Sequence, residues 1–149
     1  MLQRLLEKRC EAMIIIGHSA IRHEQFIKIK SIADIERTHQ DCIVWFDSAL
    51  LKQRGFEIAT HCNDNEVSYA VLIHSIEELL LYAALCPKYL ILGKDEQPKA
   101  KSYQALVEHY LLDCKLLCVI KSNAQLTKVA QLGIDGVIFK QVLDSIPLC

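Results

Sequence analysis

Short apolar runs alternate with amphipathic stretches along most of this chain. Cys42–Phe46, Val67–Ile73, Tyr89–Leu92, Leu116–Ile120 and Val137–Phe139 are nearly continuous apolar segments. Runs of that length and continuity read as strands buried on both faces, as in a parallel sheet covered by helices. Helical patterns lie between them. Ser75 precedes Ile76–Leu85, with Glu78 three residues on from Ser75 in the spacing of a capping box, and Pro87 ends that helix. Leu106, Val107, Tyr110 and Leu111 give Tyr103–Leu112 a helical period, and Asn123 is placed to cap a helix from Ala124 to Leu132 that Gly133 stops. A short C-terminal helix follows the last strand.

The remaining segments are read with weaker patterns. Ser48 opens a short helix through Arg54 that Gly55 stops, Phe56–Thr60 reads as a weak strand, and His61–Glu66 as a polar loop. Lys94–Ser102 reads as a loop carrying Lys94, Lys99 and Lys101. Upstream, Ala12–Ile16 is an apolar run ending at Gly17, Phe26-Ile-Lys-Ile-Lys30 alternates apolar and basic residues, and Ile32–Thr38 reads as a helix. The count is eight strands: 12–16, 26–30, 42–46, 56–60, 67–73, 89–92, 116–120 and 137–139. Eight strands predict a shortened (β/α)8 TIM-barrel-like domain. The length of 149 residues falls short of the roughly 200 a barrel usually takes, so some helices must be cut to a turn or lost, after the first, third and fourth strands. An open doubly wound parallel sheet is the competing architecture. Either way the chain is one α/β domain, with an amphipathic helix over residues 1–11 before the first strand.

Composition narrows the function classes. With 52% hydrophobic and 23% charged residues the chain is no disordered segment. Seventeen Lys+Arg against eighteen Asp+Glu give a net charge of -1, so no basic surplus marks a nucleic acid or an anionic membrane as partner. No apolar run reaches the ~20 residues of a membrane helix. Met1–Cys10 mixes Arg4, Glu7, Lys8 and Arg9 with Leu2, Leu5 and Leu6, a pattern unlike a secretory signal, and the expected location is cytoplasmic. The seven cysteines are odd in number, form no CxxC pair and sit mostly in apolar settings, as buried thiols of a reducing compartment do. His61-Cys62 beside Asp64 falls short of the four ligands a structural zinc needs.

Several polar residues sit where α/β sites collect. Lys28 and Lys30, two apart in a strand, face one side; they grip an anion if that side is the mouth of a barrel, and guard an edge strand otherwise. Asp47 ends a strand, the position of a site residue or of an N-cap. His74 lies one residue past a strand, as an acid–base group or as a satisfied structural histidine. Glu77 and Glu78 suit the first turn of a helix, and Trp45 and Phe46 suit a core.

The stretch Tyr69-Ala-Val-Leu-Ile-His-Ser-Ile-Glu-Glu-Leu-Leu-Leu-Tyr-Ala-Ala-Leu-Cys-Pro-Lys-Tyr-Leu-Ile-Leu-Gly93 resembles the central part of the thiamine phosphate synthase/TenI family. The shared features are a strand, His-Ser-x-Glu-Glu opening a helix, and an aromatic-led strand ending in Gly. Cys118–Leu143, with Gly133-Ile-Asp-Gly-Val137, is similar to the family's closing segment. The resemblance implies a phosphorylated heterocycle as small-molecule partner and, for the synthase reaction, magnesium. It implies that Lys28, Lys30 and Lys99 or Lys101 contact pyrophosphate and that Asp47 and Asp64 hold the metal. Lys121 and Ser122 stand where the family's phosphate loop lies, with His74 and Lys101 as the catalytic candidates. The family's Gly-Gly pair is replaced by Lys121-Ser122, its fifth-strand Ser by Leu72, its second-strand Gln by Phe26, and the small residues after its last strand by Lys140-Gln141. Loss of the glycines removes the close backbone approach to phosphate. A thiamine phosphate synthase-like transferase, a TenI-like thiazole tautomerase, and a non-catalytic scaffolding barrel that binds a protein or a second copy are therefore the functions to weigh. A receiver or flavodoxin-like domain, for which only Asp47 and Lys121 fit, ranks last.

Overall fold

The structure is a computed structural model that describes residues 12–144. The helix expected over 1–11, with Cys10, and Cys149 lie outside the described residues. Seven strands form one sheet in which every neighbouring pair is parallel: β1 (Ile14–Ile16), β2 (Phe26–Lys28), β3 (Ile43–Asp47), β4 (Tyr69–Ile73), β5 (Tyr89–Leu92), β6 (Lys115–Ile120) and β7 (Gly136–Phe139). Their order is β1-β7-β6-β5-β4-β3-β2. From β2 to β7 each strand lies beside its successor, and β1 joins on at β7. The strands wind in one direction, without the reversal that defines a doubly wound sheet. Crossovers between parallel strands are right-handed. A single winding direction therefore sends the helices to one face and leaves the other face to bury itself by curling.

Register assigns the faces. Phe26, Lys28, Trp45 and Asp47 share the concave face with Ala70, Leu72, Tyr89 and Ile91. The rings of Phe26 on β2 and Tyr89 on β5 stack with centroids 6.1 Å apart. Three strand spacings in a flat sheet would hold them about 14 Å apart, so the sheet is strongly curled. Lys88 before β5 and Glu24 before β2 pair at 2.6 Å across the same opening. At the other side of the curl, a side chain at Gly136 would collide with the Ile14 carbonyl and the Leu117 side chain, so glycine lets the strands close in. The curl stops short of a ring, because β1 and β2 are not paired.

The helices are α1 (Ile32–Ile35), α2 (Ser48–Leu51), α3 (Gln53–Asp64), α4 (Ile76–Ala83), α5 (Ala100–His109), α6 (Leu126–Gln131) and α7 (Lys140–Asp144), with 3-10 turns at Lys94–Lys99 and Asn123–Gln125. The strand expected at 56–60 does not exist. Phe56–Thr60 lies inside α3, whose buried residues Gly55, Ile58, Ala59 and Cys62 follow a helical period. Gly55 does not stop a helix; it makes room for the Tyr82 hydroxyl, which a Cβ there would strike. The segment after β3, expected to hold only a short helix, thus carries α2 and α3, whereas residues 17–25 between β1 and β2 hold none. The loop expected at Lys94–Ser102 is helical, and the helix cap expected at Asn123 is Ser122, whose side chain and that of Gln125 form the capping box.

Phe46, Tyr69 and Tyr82 are fully buried where α3 and α4 meet the sheet, and Phe56 stacks on Tyr82 at 4.5 Å. Tyr69 donates its hydroxyl to the Leu85 carbonyl at 2.6 Å. Cys42, Cys62, Cys114 and Cys118 are buried as expected, and Cys86 is exposed. Among the described residues no helix is long and apolar enough to cross a membrane.

Candidate functional site

Parallel strands place all their C-terminal ends on one rim, where backbone amides and loops converge. On that rim β3 ends at Asp47 and β4 is followed by His74. Because β3 and β4 are neighbours, two residues far apart in sequence meet: His74 Nε2 stands 2.8 Å from Asp47 Oδ1. The same oxygen accepts the Ala49 amide at 2.9 Å and so caps α2. Asp47 is thus the N-cap that its position allows, and the same oxygen also meets His74. His74 is half-buried, with its side chain 36% exposed.

Glu78 braces this pair from behind. Its Oε1 accepts the His74 amide at 2.6 Å and the Ser48 hydroxyl at 2.8 Å. Ser75 caps α4 by accepting the Glu78 amide at 3.1 Å. In an ordinary capping box the glutamate would return to the cap residue's own amide. Here it reaches one residue further back and also crosses to the β3 side. Gly93, at the end of β5, lies under the imidazole: a Cβ there would stand 2.7 Å from Nδ1. Beside the pair, Lys28 lies next to Trp45 in register and holds its ammonium 5.3 Å from the indole centroid. This is a cation–π contact on the concave face, one step along β3 from Asp47. A carboxylate accepts and cannot donate, so Nε2 of His74 gives a proton to the Asp47 hydrogen bond. An imidazole fixed in that way works as a general base or acid.

The other expected residues are less convergent. Lys30 is exposed, and its amide donates to Asp34 Oδ2 at 2.9 Å. Lys99 is exposed and pairs with Glu96 at 3.7 Å, and Lys101 is an exposed residue in the first turn of α5. Lys121 and Ser122 do lie on the rim after β6. Their amides, however, both point at Gln125 Oε1, at 2.6 and 3.4 Å. The backbone donors that a phosphate would need are already taken by the chain's own side chain.

The metal pair does not form. Asp64 is the last of the 12 residues of α3, a helix that starts at the rim and runs about 18 Å toward the N-terminal ends of the strands. Asp47 and Asp64 therefore stand at opposite ends of the domain, and the structure does not bring together the two carboxylates that the resemblance implied for magnesium. Among the described residues no group of three or more His, Cys, Asp or Glu is placed to hold a metal ion.

Open concavities also occur at the opposite end. One of about 460 Å³ is lined by His39, Cys42, Asn65, Glu66 and Ser68 among others, and another by Arg22, His23, Gln25 and Asp41. Their walls are mainly exposed polar loop residues, with the buried Ile35 and Cys42 among them.

No family model and no curated protein matches the chain.

Sequence reasoning missed three members of the site. Glu78 carried a readable signal, the capping-box spacing from Ser75, but its link to Ser48 thirty residues away had none. Gly93 read only as a strand stop, and Trp45 only as core.

Proposed function

We propose that this chain is a shortened (β/α)8-type domain that binds a phosphorylated heterocycle on the C-terminal rim of its sheet and moves a proton on it, as a TenI-like tautomerase would. The observation that carries the reading is the Asp47–His74 pair at 2.8 Å on adjacent strand ends. His74 takes a proton from one atom of the ligand and returns one to another, so the ligand's composition is unchanged. Asp47 holds the imidazole and stabilises the imidazolium between the two transfers. Lys28, fixed over Trp45 on the concave face, supplies the positive charge for the phosphate. The transferase reading has less support, since Asp64 stands far from Asp47 and Gln125 occupies the amides of Lys121 and Ser122. Cys62, Cys86, Cys114 and Cys118 are free thiols, which suits a cytoplasmic setting.

Titration of the full chain with a thiazole phosphate by calorimetry tests this. Saturable binding is expected, weakened about tenfold or more in Lys28→Ala. His74→Asn should bind but lose exchange of solvent deuterium into the ligand. Absence of saturable binding in the wild-type protein would overturn the proposal.

A second reading draws on Ile76, Leu80 and Leu81 of α4, all exposed at 38–47%. They form an apolar surface that suits a scaffolding protein or a homo-oligomer. Light scattering that shows a strict monomer at high concentration counts against the homo-oligomer.

A further inference from the structure

We propose that Nδ1 of His74 is the nitrogen that exchanges the proton, and that Gly93 is a positioning residue whose missing side chain gives the imidazole room to lie where its Nε2 meets Asp47. The consequence for turnover rests on the proton-transfer reading above; the geometry does not. Nε2 lies 2.8 Å from Asp47 Oδ1, an oxygen that also accepts the Ala49 amide at 2.9 Å. With a carboxylate as partner, Nε2 carries hydrogen in both the neutral and the protonated imidazole. The lone pair of the neutral ring is then on Nδ1. The Asp47 hydrogen bond sets the ring's orientation, and Glu78 holds the backbone from which the ring hangs. The His74 amide is anchored on Glu78 Oε1 at 2.6 Å, and that oxygen is itself held by Ser48.

Nδ1 makes no hydrogen bond to any described residue. The buried polar side-chain atoms left without a partner among the described residues are the Tyr82 hydroxyl and Gln104 Nε2. Nδ1 is not one of them, so it reaches solvent. The ring packs directly on Gly93 and takes the place a side chain on residue 93 would fill. A Cβ at Gly93 would lie 2.7 Å from Nδ1, 3.0 Å from Cε1 and 3.0 Å from the Ile73 carbonyl. Gly93 itself has φ -62 and ψ 152, a conformation that any residue adopts. Glycine is therefore needed here for room and not for backbone freedom. For transfer a ligand atom approaches the open nitrogen from its solvent side, with the C–H or N–H bond of the ligand breaking as the N–H bond on Nδ1 forms.

Nitrogen-15 NMR of the His74 imidazole in the full chain tests the assignment directly. The neutral ring is expected as the tautomer protonated on Nε2. In Gly93→Ala the ring is expected to leave Asp47, giving mixed tautomers at unchanged circular dichroism, with deuterium exchange into a thiazole phosphate reduced at least tenfold. A wild-type ring protonated on Nδ1 would overturn the proposal, and that measurement stands even if Gly93→Ala fails to fold. A folded Gly93→Ala with wild-type imidazole signals and wild-type exchange would overturn it equally. The expected tautomer and displacement, with no turnover in the wild type, would refute the tautomerase reading and uphold the assignment of the open nitrogen.

Discussion

Asp47 serves two structures with one oxygen, and the two roles separate on substitution. Asparagine caps a helix about as well as aspartate. Asp47→Asn should therefore change stability by less than about 1 kcal/mol in thermal unfolding, while the His74 signals lose their fixed tautomer. A rise in stability loss to several kcal/mol would make the pair a structural brace. The cysteines separate just as cleanly. Burial pushes the Cys62 thiol from its ordinary 9.0 up to about 12, and Cys114 and Cys118 to about 11. With a thiol-alkylating reagent at neutral pH, Cys86 should label in the native chain, while Cys42, Cys62, Cys114 and Cys118 label only after unfolding. Peptide mapping would show it. The thiols were legible from their apolar neighbours. His74 and Asp47 were legible as strand-end residues, but their contact joins positions 27 apart and needs the register of β3 against β4.

At the scale of the element, α3 shows how tertiary packing overrides a local signal. Gly55 followed by Phe-Glu-Ile-Ala-Thr reads as a helix stop and a strand, since glycine ends helices and Ile and Thr favour sheets. The helix persists because Gly55, Ile58, Ala59 and Cys62 bury one stripe against the sheet and α4. On an exposed helix, Gly→Ala stabilises by up to about 1 kcal/mol. Here Gly55→Ala is expected to destabilise, because its Cβ enters the space of the Tyr82 hydroxyl, and urea unfolding would give the sign. The helix starts were more legible: Ser75 caps α4 as its spacing from Glu78 indicates. The cap before α6 lies at Ser122, one residue earlier than Asn123, because Gln125 completes its box.

For the whole molecule, the curl of the sheet depends on contacts between strands that are not neighbours. Phe26→Ala removes the ring stacked on Tyr89 and should cost about 3–5 kcal/mol; a loss under about 1 kcal/mol in denaturant unfolding would mean that the curl does not depend on it. Alkaline pH acts on the same core. Cys62, Cys114, Cys118 and Tyr82 all hold their protons more tightly when folded, Tyr82 being pushed from 10.0 up to about 12 by burial and by Glu78. The unfolded chain ionises first. Stability is therefore full below about pH 9 and falls as pH rises toward 12. Melting temperatures measured across that window should decline, and less steeply in Cys62→Ala.

The sequence alone determined the α/β class and the parallel strands from β3 onward, because continuous apolar runs bounded by caps and stops are local patterns. It determined that Cys42, Cys114 and Cys118 are buried among their apolar neighbours and that Asp47 and His74 stand at strand ends. Only the tertiary structure decided that the described residues form seven strands, that β1 pairs with β7 and leaves β2 unpaired on its other side, and that Asp47 meets His74 while Asp64 lies at the far end. Those outcomes depend on register, on curvature, and on whether a glycine makes room for a neighbour distant in sequence. Such quantities are set by contacts between segments, and no window of adjacent residues encodes them.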